Sequence, residues 1–312
     1  MNRKFERVTL LYNPTAGTLR RDPTIINRLV AALEAERLAV ALAPTKRVQH
    51  ATELAHEAVK AQTDCVLVCG GDGTINEAAQ SLVGTQTALA VWPGGTANVL
   101  AKELCLPRNP QELARLIAQP QVETISVGKA VKVNGNPNGD WQRYFLLMAG
   151  IGLDATIVQN VDLGLKKQLG IGAYLAAGLD FLARMPLTPF SLTFNGQQYS
   201  STFAVISKAA SYAAWFTISP DAKLADESFK VCSFNSQSRL VYLGYAFLST
   251  LGHHIHSRGV TYQAAPHVSA NSNDAALVQL DGEVVGSLPM RFEIVPAALR
   301  VVAPCTQAGL LL

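Results

Sequence analysis

The sequence predicts an α/β amino-terminal domain, with an open and mostly parallel sheet covered by helices on both faces, followed by a β-rich, sandwich-like carboxy-terminal domain. A chain of 312 residues is too long for one ordinary core and comfortable for two. Apolar runs alternate with amphipathic segments as far as residue 125. Beyond that point, short apolar runs separated by turn residues dominate.

The alternation in the first part predicts a domain over residues 1–125. Strand–helix alternation is typical of a parallel sheet covered by helices. The predicted strands are residues 8–12, 38–43, 65–69 and 88–91, and the predicted helices are residues 23–38, 49–61, 74–83 and about 97–104.

The second part predicts an antiparallel domain over residues 126–298. Asn-Gly dipeptides such as Asn195-Gly196 favour hairpins between its strands. The predicted strands are residues 123–133, 141–148, 190–194, 199–207, 229–234, 259–262, 276–280 and 291–294, with helices at 170–184 and 240–251.

Composition excludes several classes of protein. With 49% hydrophobic and 16% charged residues the chain is globular rather than disordered. A net charge of +3 from scattered lysines and arginines gives no indication of a nucleic-acid partner. No apolar run is long enough for a transmembrane helix, and the start lacks the apolar core of a signal peptide. We therefore expect a cytoplasmic protein.

We expect the cysteines and a cluster of histidines to have structural rather than metal-binding or redox roles. The cysteines are odd in number and include no Cys-x-x-Cys pair, which predicts buried free thiols. Three histidines that follow the predicted helix 240–251 have no acidic partner nearby in sequence, so we expect an ordinary polar loop. These residues are Cys65, Cys69, Cys105, Cys232 and Cys305, and His253, His254 and His256.

The motif Gly70-Gly71-Asp72-Gly73-Thr74 follows an apolar strand and opens a helix. Three glycines let the backbone approach an anion, and a helix start offers unpaired N–H groups and a positive dipole end. Asp72 would repel a phosphate unless a divalent cation lay between them, so the motif indicates a Mg-nucleotide site. The alternative is a tight turn with an aspartate cap. As a loop residue, Asp72 should be replaceable by alanine without loss of the fold.

The glycine motif resembles that of a kinase superfamily. Gly-Gly-Asp-Gly-Thr is shared by diacylglycerol, sphingosine, ceramide and NAD kinases and, with a final serine, by phosphofructokinases. Three further features make the chain similar to bacterial diacylglycerol-kinase-like proteins: Asn13-Pro14-Thr15-Ala16-Gly17, Thr45, and the box from Pro93 to Ala101. The resemblance implies a site for ATP formed by Asn13, Pro14, Thr45, Gly70, Gly71, Asp72, Gly73, Thr74, Gly95, Thr96 and Asn98. Without the first motif, the box around Thr96 and Asn98 would also suit a turn with a helix cap.

Two motifs of the second part extend the resemblance. The segment from Ser219 to Asp226 resembles one that holds Mg²⁺ in the family, which implies Asp221 and the carbonyls of Lys223 and Leu224 as ligands. This chain has Asp226-Glu227 where the family has Asp-Gly, and a polar loop is the alternative.

The motif Asp281-Gly282-Glu283 resembles the family's Asp-Gly-Glu. It implies Glu283 as general base, with Asp281 orienting it or the metal and Asp72 completing the catalytic set. A simple hairpin turn is the alternative.

The resemblance implies a reaction and a location. The expected reaction is ATP- and Mg²⁺-dependent transfer of the γ-phosphoryl group to the hydroxyl of a membrane lipid, with diacylglycerol giving phosphatidic acid as the first expectation. The alternatives are an NAD-kinase-like or other small-molecule kinase, or an inactive nucleotide-binding regulatory protein. The expected active site is a cleft between the domains, with strand 299–312 returning to the first domain. The sequence leaves the acceptor lipid and the oligomeric state open.

A lipid acceptor implies peripheral contact at the inner face of the membrane. The expected docking segment is residues 166–186, because Lys166 and Lys167 precede an apolar helix that ends near Arg184. The alternative is that this helix buries its apolar face on the β-rich domain.

Overall fold

A computed structural model describes residues 4–95, 97–132, 141–152, 155, 187–212 and 216–304. The chain divides into two compact units. The first consists of Met1–Val127, Lys223–Glu227 and Val295–Leu312, and the second of Gly128–Ala222 and Ser228–Ile294. This division differs from the expected one at Lys223–Glu227, which belongs with the first unit.

The first unit is built on a parallel sheet. Its strands run in the order β2-β1-β3-β4, and Val301 of the last strand, β18 (Met290–Val302), pairs with Leu89 of β4. Strands β3 and β4 are buried along almost their whole length, as expected for central strands. The strands are β1 (Arg7–Tyr12), β2 (Ala39–Pro44), β3 (Cys65–Gly70) and β4 (Ala88–Pro93).

Helices connect these strands. Two of them, over Gly17–Arg21 and Pro110–Ala118, were not expected. The start signals of the second are in the sequence, because the Asn109 side chain accepts the N–H groups of Gln111 and Glu112, and Pro110 is the first helical residue. The helices are α1 (Gly17–Arg21), α2 (Thr24–Ala35), α3 (His50–Lys60), α4 (Asp72–Leu82), α5 (Val99–Glu103) and α6 (Pro110–Ala118).

The second unit is an antiparallel sandwich, which confirms the predicted fold class. One sheet has the order β14-β13-β10-β7-β16-β17, while β5 pairs with β6, and β15 lies between β8 and β18. The strands are β5 (Val122–Lys132), β6 (Trp141–Phe145), β7 (Met148–Gly152), β8 (Phe190–Phe194), β9 (Gln197–Ser201), β10 (Phe203–Ser207), β11 (Ser211–Tyr212), β12 (Phe216–Thr217), β13 (Phe229–Phe234), β14 (Val260–Ala265), β15 (His267–Asn271), β16 (Leu277–Leu280) and β17 (Glu283–Ser287).

Two strands that we predicted as continuous are each divided. Residues 141–148 form β6 and β7, because the N–H groups of the connecting residues bond to a side chain, Asp281, rather than to a neighbouring strand. Residues 199–207 form β9 and β10, because the chain changes partners at Thr202. Strand β9 pairs with β8, whereas β10 pairs with β7 and β13. The hydrophobic pattern of the sequence does not indicate either change of partner.

The cysteine prediction is confirmed for Cys65, Cys69 and Cys232, which are buried free thiols. Burial raises the pKa of the Cys69 thiol to about 12. Cys105 is also a free thiol, but the predicted burial is wrong for it, because it lies just after α5 and is exposed. Cys305 lies outside the described residues, as do Thr96 and the expected docking segment 166–186. In the described part of the chain, no helix is long and apolar enough to span a membrane.

The polar-loop interpretation of the histidines is wrong for His254. This residue begins a short 3-10 helix, His254–His256, after α7 (Arg239–Thr250), and its side chain is fully buried. The ring lies parallel to that of Phe234 at 6.0 Å, and its Nε2 is 3.0 Å from the carbonyl oxygen of Ile218. Since the partner is a carbonyl, Nε2 carries the proton and donates. The Nδ1 atom is buried and has no hydrogen-bond partner among the described residues.

We expect His254 to make the protein less stable in acid. Burial lowers the pKa of His254 below its ordinary value. The unfolded chain therefore binds a proton more readily than the folded chain, and the free energy of unfolding should fall as the pH drops below about 6.5. The slope should stay under about 1.4 kcal/mol per pH unit, the limit for one proton. Urea unfolding between pH 7.5 and 5 measures it.

The matched variants are His254→Gln, which keeps an amide donor but does not titrate, and His56→Gln, which alters an exposed histidine. His254→Gln should flatten the pH dependence, whereas His56→Gln should not. An unchanged slope in His254→Gln would assign the acid sensitivity to other groups.

Candidate active site

Two glycine loops interlock at the carboxyl ends of β3 and β4. The Gly94 N–H donates to the Gly70 carbonyl at 3.0 Å. A Cβ on Gly95 would lie 2.6 Å from the Cα of Gly71, and a Cβ on Gly94 would lie 3.0 Å from the Gly70 nitrogen. Such short separations are possible only without side chains. The glycines therefore let two stretches of backbone touch.

Asp72 ties the two loops together. Its Oδ2 accepts the backbone N–H of Asn98 at 2.9 Å, and its Oδ1 accepts that of Val99 at 2.8 Å. These N–H groups begin α5, so Asp72 supplies the cap that the helix would otherwise lack. Asp72 is also the first residue of α4 and thereby links the starts of both helices.

Burial raises the pKa of the Asp72 carboxyl, and the N–H bonds from Val99 and Asn98 act in the opposite direction. Both carboxylate oxygens are engaged within the protein. The alternative of a tight turn with an aspartate cap therefore describes Asp72 better than a free carboxylate does. An alanine here would leave two backbone N–H groups without their acceptor, so we expect a loss of stability rather than a harmless change.

The side-chain amides of Asn98 and Asn13 form hydrogen bonds within their own loops. The Asn98 side chain accepts the Gly95 N–H and donates to the Gly95 carbonyl, both at 2.8 Å, and is buried. The Asn13 Oδ1 accepts the N–H and the hydroxyl of Thr15 at 2.9 and 2.8 Å. Both amides hold backbone in place, and main-chain N–H groups of such loops are donors that an anion can use.

The other predicted nucleotide residues lie around the same edge of the sheet. The Asn13 N–H donates to the Cys69 carbonyl at 3.0 Å, and the Thr45 N–H donates to that of Tyr12 at 2.8 Å. The side chain of Thr74 lies against Gly70, where a Cβ would come within 2.7 Å of it. The structure thus brings together Asn13, Pro14, Thr45, Gly70, Gly71, Asp72, Gly73, Thr74, Gly95 and Asn98 at the ends of β1, β2, β3 and β4.

Asp281 anchors a loop of the second unit. It and Gly282 form the turn between β16 and β17, with φ angles of 48° and 89°, as expected for the hairpin alternative. Its Oδ2 accepts the N–H of Leu146 at 2.7 Å, and its Oδ1 accepts those of Leu147 and Met148 at 2.9 and 3.0 Å. These three bonds hold the β6–β7 connection to the turn.

Glu283 begins β17, and its Oε2 forms an ion pair with Arg143 of β6. The Glu283 side chain is 39% exposed, and its Oε1 has no hydrogen-bond partner among the described residues. Unlike the carboxylates of Asp72 and Asp281, that of Glu283 therefore keeps one oxygen that can accept a proton or a ligand.

Asp221 is engaged by a cation of the protein. Its Oδ2 is 2.6 Å from Lys230 Nζ, and its Oδ1 accepts the hydroxyl of Tyr262. Among the described residues, no group of three or more His, Cys, Asp or Glu side chains could hold a metal. An ammonium group and a phenol therefore contact the two oxygens that the sequence analysis assigns to Mg²⁺.

The carbonyls of Lys223 and Leu224 accept the N–H groups of Asp226 and Ser126, at 3.0 and 3.1 Å. These two residues belong to the first unit and Asp221 to the second. Magnesium ligation by the three residues and an active site between the domains stay predictions.

Several partners of these carboxylates carry no signal in the sequence. Arg143 lies 140 positions from Glu283, and Lys230 and Tyr262 lie 9 and 41 positions from Asp221. No motif marks them, because only tertiary packing brings them near. Gly94 belongs to the box from Pro93 to Ala101, and its direct contact with Gly70 is likewise not evident from the sequence.

Similarity to known proteins agrees with this arrangement. Residues 7–130 match the diacylglycerol kinase catalytic domain, and residues 148–303 match the YegS C-terminal NAD kinase beta sandwich-like domain. A diacylglycerol kinase of Mycobacterium tuberculosis is 30% identical over 258 residues, which cover 81% of each chain. The chain belongs to the diacylglycerol kinase family. It is accordingly a kinase.

Relatives in this family match over nearly the full length. A diacylglycerol kinase of Bacillus subtilis is 26% identical over 309 residues, 97% of this chain and 98% of that one. The crystal structure of a putative diacylglycerol kinase from Bacillus anthracis has a TM-score of 0.79 at 25% identity, covering 98% and 97% of the two chains. A yeast NADH kinase, with a TM-score of 0.56 at 10% identity over 98% of this chain and 85% of that one, shares the fold alone.

We expect Asp72→Ala to destabilise this kinase as well as inactivate it. The change leaves the Asn98 and Val99 N–H groups without their acceptor, which should lower the free energy of unfolding by about 1–3 kcal/mol. Urea unfolding measures the loss, and hydrogen exchange should show faster exchange at residues 98–99 than in the parent.

Asp64→Ala is the matched control. The Asp64 Oδ2 accepts two backbone N–H groups, those of Glu6 and Arg7, at 2.9 Å each, at the opposite ends of the strands. The control should lose stability but keep its activity per folded molecule. An Asp72→Ala protein as stable as the parent would contradict the role of Asp72 in joining the loops.

Proposed function

We propose that this kinase transfers the γ-phosphoryl group of ATP to the free hydroxyl of diacylglycerol, giving phosphatidic acid, at the inner face of a membrane. The observation that carries the proposal is the pair of interlocked glycine loops within a chain whose full-length relatives are named diacylglycerol kinases. An anion can approach such side-chain-free backbone closely, as it could not approach a loop bearing Cβ atoms.

The nucleotide would bind at the carboxyl ends of β1, β3 and β4. There the first N–H groups of α4 and the positive end of its dipole favour phosphate. Asp72 and Asn98 act as positioning residues, because their side chains shape the loops. Binding would then rest on main-chain groups, which suits a reaction whose catalysis is chiefly positioning and charge neutralisation.

Glu283 would act as general base on the acceptor. The lipid hydroxyl oxygen forms a bond to the γ-phosphorus, the bond from that phosphorus to the bridging oxygen breaks, and ADP leaves. The hydroxyl proton passes to Oε1 of Glu283, while Arg143 holds Oε2. Asp281 positions the turn that carries Glu283 and makes no direct contact with the reacting atoms.

Magnesium is the expected companion of ATP, since it neutralises phosphate charge in kinases of other classes. The carboxylates of Asp72 and Asp221, which the sequence indicates for the metal, are engaged by backbone N–H groups and by Lys230 with Tyr262, respectively.

The direct test offers labelled ATP with either detergent-dispersed diacylglycerol or NAD. We expect label in phosphatidic acid and none in NADP. Label in NADP alone would make the chain an NAD kinase. ATP binding without turnover on either acceptor, or on a wider panel of lipid alcohols, would make it a nucleotide-binding regulator.

Glu283→Gln should lower kcat by about 10²–10⁴-fold, because the amide keeps the size of the side chain but cannot accept the proton. The dissociation constant for ATP should change little, since Glu283 lies outside the glycine loops. Steady-state kinetics and equilibrium binding measure the two quantities separately.

Glu293→Gln is the matched control. Glu293 also pairs with a cation of the second unit, Lys129 at 2.8 Å, and has a similar exposure of 32%. The control should keep kcat within about twofold. If Glu283→Gln instead lost ATP binding at unchanged kcat, Glu283 would belong to the nucleotide site.

A further inference from the structure

Helix α7 of the second unit turns its most apolar side chains outward. Four large residues repeat at helical spacing and form what we call the outer stripe. These are Leu240, Leu243, Phe247 and Leu251, the last of which ends the helix, and they are exposed to 79%, 37%, 68% and 59%. Val241 beside them is 39% exposed. Helices of globular proteins ordinarily bury such a stripe.

The inner face of α7 carries two tyrosines, whose rings pack inward and whose hydroxyl groups are hydrogen-bonded. Tyr242 packs against the aromatic rings of Phe203 and Phe234, and its hydroxyl is 2.6 Å from Thr202 Oγ1. Tyr245 donates its hydroxyl to the Arg258 carbonyl at 2.7 Å. The helix is therefore fixed in its orientation, and the outer stripe cannot turn inward without breaking these contacts.

The surface of the stripe is open in the described part of the chain. Gly244 lies on the same side of the helix, between Leu240 and Phe247. A Cβ added there would meet no described atom within 4 Å. Five of the eight large hydrophobic residues identified as exposed belong to α7 and its end. An apolar cluster of this kind marks an interaction surface.

The stretch of chain that contains the stripe carries positive charge only. Residues 228–273 contain no aspartate or glutamate, although the chain has 23 acidic residues in all. Arg239 begins α7, and Arg258 follows it, both exposed. A helix start would ordinarily favour an acidic residue, and α7 has none in its first turn. This arrangement complements an anionic partner.

We infer that α7 docks the kinase on an anionic lipid bilayer, with the outer stripe among the acyl chains and Arg239 and Arg258 near the headgroups. Apolar residues backed by basic ones are the pattern of interfacial helices. A stable protein–protein interface engages about 20–30 residues on each side, far more than this stripe offers. The inference rests on the proposed function, because a lipid acceptor must be reached at the membrane surface.

The test is flotation with vesicles of phosphatidylcholine and phosphatidylglycerol, without nucleotide. The double variant Leu240→Ser with Phe247→Ser should bind about tenfold more weakly or worse, because binding scales with the apolar area buried. Leu42→Ser with Val48→Ser is the control, since these apolar residues of the first unit are 54% and 80% exposed. The control should bind like the parent.

Turnover on a short-chain diacylglycerol in detergent micelles separates the two proposals. Both double variants should stay within about twofold of the parent, because their changed residues are exposed and lie outside the site. A parent that binds vesicles through α7 but phosphorylates no lipid would overturn the proposed function alone. Phosphorylation of lipid by a parent whose vesicle binding is unaffected by the α7 variant would overturn the docking inference alone.

Sedimentation equilibrium decides between a membrane and a second copy of the chain. We expect the parent and the α7 variant to have the same mass in solution. A parent dimer that the α7 changes convert to monomer would assign the stripe to a subunit interface and overturn membrane docking. Binding to pure phosphatidylcholine as tight as to the anionic vesicles would overturn the role given to Arg239 and Arg258.

Discussion

The close approach of the Gly70–Gly71 and Gly94–Gly95 backbones is the constraint on which the candidate site depends. A Cβ on Gly95 would come within 2.6 Å of the Gly71 Cα, so any side chain would force the two loops apart. The carboxylate of Asp72 then spans the gap and caps α5. Loops so joined need few side chains to make a phosphate site, since their main-chain N–H groups are already in place.

In the second unit, too, one aspartate holds a loop through backbone N–H groups. Asp281 gives both oxygens to the N–H groups of residues 146–148, and this bonding divides what would be one long strand into β6 and β7. Two residues further on, Glu283 pairs with Arg143 through one oxygen only. Adjacent carboxylates thus take different parts, because one is enclosed by backbone donors and the other is only partly covered. Asp72, like Asp281, is enclosed by backbone donors, and its catalytic role stays a prediction.

Helix α7 offers a surface through which the kinase could reach a lipid acceptor in the membrane. Hydroxyls usually face water, yet here the Tyr242 and Tyr245 hydroxyls are satisfied internally while leucines and a phenylalanine are exposed. Keeping Leu240 and Phe247 in water opposes the hydrophobic effect. The arrangement is therefore best understood through a partner that removes them from water.

The sequence by itself determined the fold class, the order of most elements and the positions of the glycine motifs. These depend on apolar periodicity and on local backbone requirements, which neighbouring residues alone express. It also offered the aspartate cap and the hairpin as alternatives for Asp72 and Asp281. Only the tertiary structure decided which groups each carboxylate contacts, because Asp72 meets residues 26 and 27 positions away and Glu283 meets one 140 positions away. It likewise decided that His254 is buried and that α7 exposes its leucines, since burial depends on what packs against a segment from elsewhere in the chain.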